Sequence, residues 1–228
     1  MRSDSTEFLK KVPLFSGFAT DDLIAVSCLL RARRYTKRSV LMHEGDPSDA
    51  LYIIRKGSVA VTRTNSDGKE TILSILKEGD VVGEMGVLDE APRSATATLL
   101  REGQVLILQR ADFLDLLAKR QDLNRAVISA LITRLRATNK ATQARSHLSV
   151  KAKVADLLLM LAENFGETGE RGTRLTVKLT HQQLANMVGT TRETMNRTLT
   201  EFWDARLIDM TGASIVISDP ASLAAIRD

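Results

Sequence analysis

Between about residues 34 and 109, apolar residues come in short runs, each closed by a polar or glycine-bearing stretch. The runs include Ala50-Leu-Tyr-Ile-Ile, Gly57-Ser-Val-Ala-Val-Thr, Thr71-Ile-Leu-Ser-Ile-Leu and Gln104-Val-Leu-Ile-Leu. The stretches between them are turn chemistry: Glu44-Gly-Asp-Pro, Lys56-Gly, Ser66-Asp-Gly-Lys and Glu78-Gly-Asp. Short strands at regular spacing, punctuated in this way, predict a β-barrel or jelly roll. A short helix over Thr20–Leu30 precedes them, with Thr20 or Asp21 as its N-cap.

From Arg110 to Arg145 the period changes to that of a long helix without Pro or Gly. Ile128, Leu131, Leu135, Thr138 and Thr142 fall at alternating three- and four-residue steps. That is a heptad seam, which predicts pairing with a second copy of the chain. An ordinary amphipathic surface helix has the same period. A further helix is expected over Val150–Phe165, then a charged, glycine-bearing loop over Gly166–Gly172 and a strand from Arg174. Two short helices and a hairpin near Ile208–Ile217 close the chain. The pattern predicts an α+β protein in three parts. Residues 1–109 form a β-jelly-roll domain, 110–145 a dimerisation helix and 146–228 a winged helix-turn-helix domain.

Composition narrows the chemistry. With 228 residues, 43% hydrophobic and 26% charged, the chain suits two domains with cores of their own. A single cysteine, Cys28, excludes an intrachain disulfide and any four-cysteine metal site, which suits a reducing cytoplasm. The start of the chain has no signal-peptide pattern, and the apolar run near Leu157–Leu161 is far too short to cross a bilayer, so no membrane partner is expected. The formal charge of +4 is compatible with nucleic acid without demanding it. The positive charge lies mainly between Arg110 and Lys153, so a nucleic-acid function has to rest on motifs.

The segment Gly83-Glu-Met-Gly-Val-Leu-Asp-Glu-Ala-Pro-Arg-Ser-Ala-Thr-Ala carries ligand chemistry. Gly83 and Gly86 let backbone approach a ligand, and Met85 lies between them. Glu84 is an acceptor suited to a ribose hydroxyl; Arg93 offers a planar fork for a phosphate, and Ser94 a hydroxyl donor. A surface Glu–Arg ion pair beside a turn uses the same two charges.

Leu179–Leu199 has a helix-turn-helix layout. Thr180 can cap the first helix, Leu184, Ala185 and Val188 form its buried face, and Gly189 permits the turn. Thr190 or Thr191 can cap the second helix, with Met195 and Leu199 inward. Arg192, Glu193 and Arg197 then project from one side, where arginine can bond guanine and glutamate can accept from cytosine. Glu193 and Arg197 also have the spacing of a plain surface ion pair.

These strings resemble a known family. Gly83-Glu84 followed by Pro92-Arg93-Ser94-Ala95-Thr96 looks like the phosphate-binding cassette of cyclic-nucleotide-binding domains. Leu51-Tyr52, Lys56-Gly57-Ser58-Val59 and Gly79-Asp80 match the barrel signature of those domains. Thr191-Arg192-Glu193-Thr194 with Arg197 matches the recognition helix of the cAMP receptor protein, or catabolite activator, family of the Crp–Fnr superfamily. The likeness spans nearly the whole chain.

It implies a cytoplasmic homodimer that regulates transcription, takes cAMP as effector without a metal, and binds double-stranded DNA at a palindrome with TGTGA-like half-sites. RNA polymerase would be a further partner. Arg93 and Ser94 would hold the cyclic phosphate, Glu84 the ribose 2′-OH, and Val61 and Leu73 the apolar wall. On the long helix, Arg134, Thr138 and Asn139 would close the site, Thr138 on its own subunit's adenine and Asn139 on the other's. Asn139 stands where enteric members carry serine, and the Thr-Asn pair resembles the actinobacterial branch. Thr180, His181 and Gln182 would face phosphates.

Two rival classes are weighed against this. His43, His147 and His181 are scattered, and no nucleophile elbow, P-loop or HExxH motif occurs, which argues against an enzyme. The other rival is a regulator of the same build that answers another nucleotide, a haem or redox signal, or no ligand.

Overall fold

The computed structural model describes residues 2–64, 70–212 and 214–226, without the side chains of 2–4, 137, 140–142 and 144–146. The turn expected at Ser66–Lys69 and the side chain of the seam residue Thr142 lie outside the described residues. The chain divides into two compact units, residues 1–63 with 74–140, and residues 64–73 with 141–228.

The first unit opens with helix α1 (Arg2–Lys10), a 3-10 turn at Pro13–Phe15 and α2 (Thr20–Leu29). The strands β1 (Arg31–Tyr35), β2 (Val40–Met42), β3 (Ala50–Lys56), β4 (Val59–Thr64), β5 (Glu70–Leu76) and β6 (Val81–Val82) follow. A short helix, α3 (Glu84–Asp89), precedes β7 (Thr96–Leu99) and β8 (Gly103–Gln109). The strands form two four-stranded sheets, ordered β1-β8-β3-β6 and β2-β7-β4-β5, as a jelly roll requires.

The apolar run of β3 has a direct explanation. Successive side chains of a strand point to opposite faces. Ala50, Tyr52 and Ile54 pack into the core between the sheets, with Leu41, Val59, Leu76 and Leu99. Leu51 and Ile53 face the other way, into a core shared with Leu9, Phe15, Leu23, Phe113 and Leu123. Both faces are covered, so the strand reads as continuous hydrophobe.

The expected single helix after the barrel is two: α4 (Arg110–Lys119) and α5 (Gln121–Ser146). Arg120 leaves the helical path (φ −135°, ψ 88°). There its guanidinium lies 2.6 Å from the Asp22 carboxylate of α2, which is buried, and a buried carboxylate requires such a cation. The expected cap of α2 is also corrected. The N-cap is Ala19, without a side-chain bond, and Thr20 and Asp21 already belong to the helix.

The second unit contains α6 (Val150–Phe165), capped by the Ser149 hydroxyl, which accepts from the Ala152 N–H. β9 (Gly166–Gly169) and β10 (Gly172–Leu175) follow, then α7 (His181–Val188) and α8 (Arg192–Asp204). β11 (Ile208–Thr211), β12 (Ser214–Ile217) and α9 (Pro220–Ala225) complete it. The stretch expected to be a loop, Gly166–Gly172, is a hairpin whose second strand ends at Leu175. It pairs with the C-terminal hairpin to give the sheet β11-β12-β10-β9. Leu158, Leu161, Leu184, Met195, Leu199, Phe202 and Ile217 are buried in this unit.

Candidate functional site

The turn from β6 into α3 is built around Gly83, whose φ of 84° lies in the left-handed region. A Cβ there would come within 2.5 Å of the Arg93 guanidinium, so glycine is required sterically as well. Backbone bonds from Arg93 N–H to the Asp46 carbonyl and from Gly45 N–H to the Arg93 carbonyl, both 2.9 Å, stitch the 43–50 loop to the 90–94 segment.

The Arg93 side chain is buried and heavily bonded. Nη1 donates to the Gly83 carbonyl (2.9 Å); Nη2 donates to the Ala50 carbonyl (2.6 Å) and to the exposed Asp49 carboxylate (3.0 Å). Its Nε is buried without a partner among the described residues. An orphan donor in this position is costly unless something accepts from it. The guanidinium lies 5.6 Å from the Tyr52 ring centroid. Burial pushes the Tyr52 phenol above its ordinary value; Asp49 adds to this and Arg93 opposes it. Glu84, also buried, accepts from Arg134 Nη1 at 2.7 Å.

Eight of the eleven residues expected to hold a ligand line one cleft here: Val61, Gly83, Glu84, Met85, Gly86, Arg93, Ser94 and Arg134. Met42, Ser74, Val82 and Ala95 line it too, which strand alternation would have placed inward for Met42 and Val82. Leu73, Thr138 and Asn139 do not line it; all three are exposed. The cleft measures about 70 Å³ as it stands, against ~300–1,000 Å³ for ligand pockets. Of its lining side chains, Met85 is 57% exposed, and Arg134, 56% exposed, is held across it by the bond to Glu84.

Helix α5 presents two faces. Val127 is buried and Leu131 half-buried against the core of its own unit; one turn on, Arg134 reaches Glu84. Thr138 follows on that face, its hydroxyl donating to the Arg134 carbonyl (3.0 Å). The exposed apolar stripe runs instead through Ile128, Ile132 and Leu135, which are 55%, 43% and 59% exposed, and continues to Asn139. Ile132, which the expected seam did not include, lies on this stripe. Steps of three-then-four and four-then-three both satisfy a heptad, and only packing tells them apart.

In the second unit, Thr180 caps α7 reciprocally: its hydroxyl accepts from the Gln183 N–H (3.2 Å), and the Gln183 side chain accepts from the Thr180 N–H (2.9 Å). Gly189 ends α7 at φ 77°, and Thr191 caps α8 by accepting from the Thr194 N–H (3.1 Å). Leu184 and Ala185 are buried and Val188 half-buried; Met195 and Leu199 face inward as expected. Arg192, Glu193 and Arg197 are exposed. Glu193 and Arg197 form no ion pair among the described residues. Thr180 and Gln182 are exposed, and Gln182 Nε2 donates to Asn186 (2.8 Å). His181 is half-buried, and its Nδ1 bonds the side-chain oxygen of Asn196 on α8.

No helix among the described residues is long and apolar enough to cross a membrane. Residues 32–120 match the cyclic nucleotide-binding domain family, and residues 152–226 the Crp-like helix-turn-helix domain family. The chain is 32% identical over 218 residues to a CRP-like cAMP-activated global transcriptional regulator of Mycobacterium tuberculosis, covering 96% of this chain and 97% of that protein. It is 33% identical over 185 residues to the cAMP-activated global transcriptional regulator CRP of Salmonella typhimurium, covering 81% and 88%. Among solved structures, the c-di-GMP responsive global regulator CLP of Xanthomonas campestris superposes with a TM-score of 0.72 at 24% identity, over 87% of this chain and 99% of that one.

Proposed function

The chain belongs to the CRP family of DNA-binding transcription regulators with a cyclic nucleotide-binding domain, and on that premise we propose that it is a cAMP-responsive homodimer reading a palindromic operator. The division of labour follows the chain. Residues 1–109 hold the nucleotide, 110–145 pair the subunits and 146–228 read DNA. Its place of work is the cytoplasm, with RNA polymerase as a further partner.

The observation that carries the cAMP reading is Arg93, buried beside Gly83 with an Nε that has no partner among the described residues. A cyclic phosphate would supply that acceptor, with Ser94 adding a hydroxyl. The ribose 2′-OH would donate to Glu84 and compete with Arg134, whose release opens the cleft. Thr138, on the face that turns to its own unit, would meet the adenine. Asn139, on the exposed stripe, would reach the nucleotide of the partner. Val61, which lines the cleft, would supply an apolar wall. The seam we propose runs through Ile128, Ile132 and Leu135, with Leu131 bracing it from inside.

Calorimetry with cAMP, cGMP and cyclic di-GMP on one preparation tests this. The expected result is tightest binding of cAMP, at two per dimer. Heat only with cyclic di-GMP would give the cleft to the ligand named for the Xanthomonas regulator; no heat with any of the three would leave a regulator that acts without a cyclic nucleotide.

A further inference from the structure

The contact between His181 and Asn196 joins the first helix of the helix-turn-helix to the second. It is not among the contacts that the DNA reading above uses. Asn196 lies one turn beyond Arg192 on α8, next to Arg197, and is half-exposed on that side. An amide oxygen can only accept, so the His181 Nδ1–H donates to it. The contact thereby fixes which way the amide points. Asn196 Nδ2, with two hydrogens, has no partner among the described residues. The recognition helix thus carries an oriented donor pair beside its two arginines.

We propose that Asn196 is a specificity-determining residue that reads one base pair through Nδ2, and that His181 is the positioning residue that aims it. This rests on the DNA-binding reading above. In the major groove, guanine offers O6 and N7, adenine N7 and thymine O4 as acceptors, whereas cytosine offers only its N4–H₂ donor. A donor held outward therefore rejects cytosine on the strand it faces. A free asparagine could turn its oxygen to cytosine instead; His181 removes that choice.

The test is selection from a palindrome library with every half-site position randomised, followed by anisotropy titrations on the four variants of each position at fixed salt. Wild type should show one position, outside those sensitive to Arg192→Ala, Glu193→Ala or Arg197→Ala, where cytosine is disfavoured at least about fivefold. Asn196→Ala and His181→Ala should each bring that discrimination close to one while leaving the other positions as they were. Asn196→Asp, which presents only acceptors, should turn the preference toward cytosine at that position. If Asn196→Ala weakens all sequences equally and leaves every preference unchanged, the pair is structural and the proposal is wrong. If wild type enriches no motif, the DNA reading fails first and takes the proposal with it.

Discussion

At the scale of single residues, Arg93 matters most because its environment leaves it incomplete. Its Nη1 and Nη2 donate to Gly83, Ala50 and Asp49, and its Nε is buried with no acceptor among the described residues. Losing a charge-assisted fork to a phosphate costs ~1.5–3 kcal/mol, so Arg93→Leu should weaken cAMP binding at least about tenfold by calorimetry. Leucine also strands the buried Ala50 carbonyl and the part-buried Gly83 carbonyl, so Arg93→Lys is the better-behaved companion: it keeps the charge without the fork, and should bind weakly while folding normally. Wild-type affinity in either variant would remove the phosphate assignment. The lining of the cleft by Gly83, Glu84, Arg93 and Ser94 could be expected from the sequence because the whole string is local and resembles a phosphate-binding cassette, whereas the two charges alone fit a surface ion pair equally well. The Arg134 bond to Glu84 could not be expected in this way, because it joins positions 50 apart along the chain.

At the scale of elements, α5 shows what periodicity can and cannot decide. The helix and its heptad were legible, yet Leu131 and Ile132 fit the pattern equally well. Packing separates them: Leu131 meets the core of its own unit, and Ile132 is exposed. Ile132→Asp with Leu135→Asp should therefore give a folded monomer by sedimentation. Leu131→Asp should instead destabilise the fold by about 1–3 kcal/mol, seen as a lower Tm. A dimer that survives the double substitution at micromolar concentration would contradict the seam.

The break at Arg120 could not be read from periodicity, because it depends on Asp22, a residue nearly 100 positions earlier. The hairpin at Gly166–Gly172 was likewise hidden, since a charged, glycine-bearing stretch has no alternation of its own and becomes sheet only through β12. The caps of α7 and α8 were legible because they are local. Removing the hydroxyl in Thr180→Ala takes half of a reciprocal cap and should cost ~0.5–2 kcal/mol in a denaturation curve. No change in midpoint would mean that the cap is replaced by water. On α8, Arg197→Ala should cost ~1–3 kcal/mol and relax preference at one base pair, whereas Gln182→Ala should weaken all sequences alike. Anisotropy on single-base operator variants separates the two.

At the scale of the whole molecule, two-fold pairing through α5 would present two copies of α8 to successive major grooves, with half-site centres about 34–36 Å apart. The nucleotide would act on that geometry through one element. Arg134 belongs to α5 and is held by Glu84, the same carboxylate that the ribose would claim. Asn139 lies on the exposed stripe of that helix, and the helix runs on to Ser146, shortly before α6 begins. A ligand that replaced the Glu84–Arg134 pair and bonded Asn139 across the proposed seam would favour one arrangement of the helix pair. It can shift DNA affinity only by its difference in affinity for the two arrangements.

The coupling is reciprocal and is read in one number, the ratio of operator affinities with and without saturating cAMP at fixed salt. Operator binding should be tighter with cAMP, by about 5- to 150-fold for a coupling of 1–3 kcal/mol, and cAMP binding should tighten by the same factor when operator is added. Equal operator affinities with and without the nucleotide would contradict it.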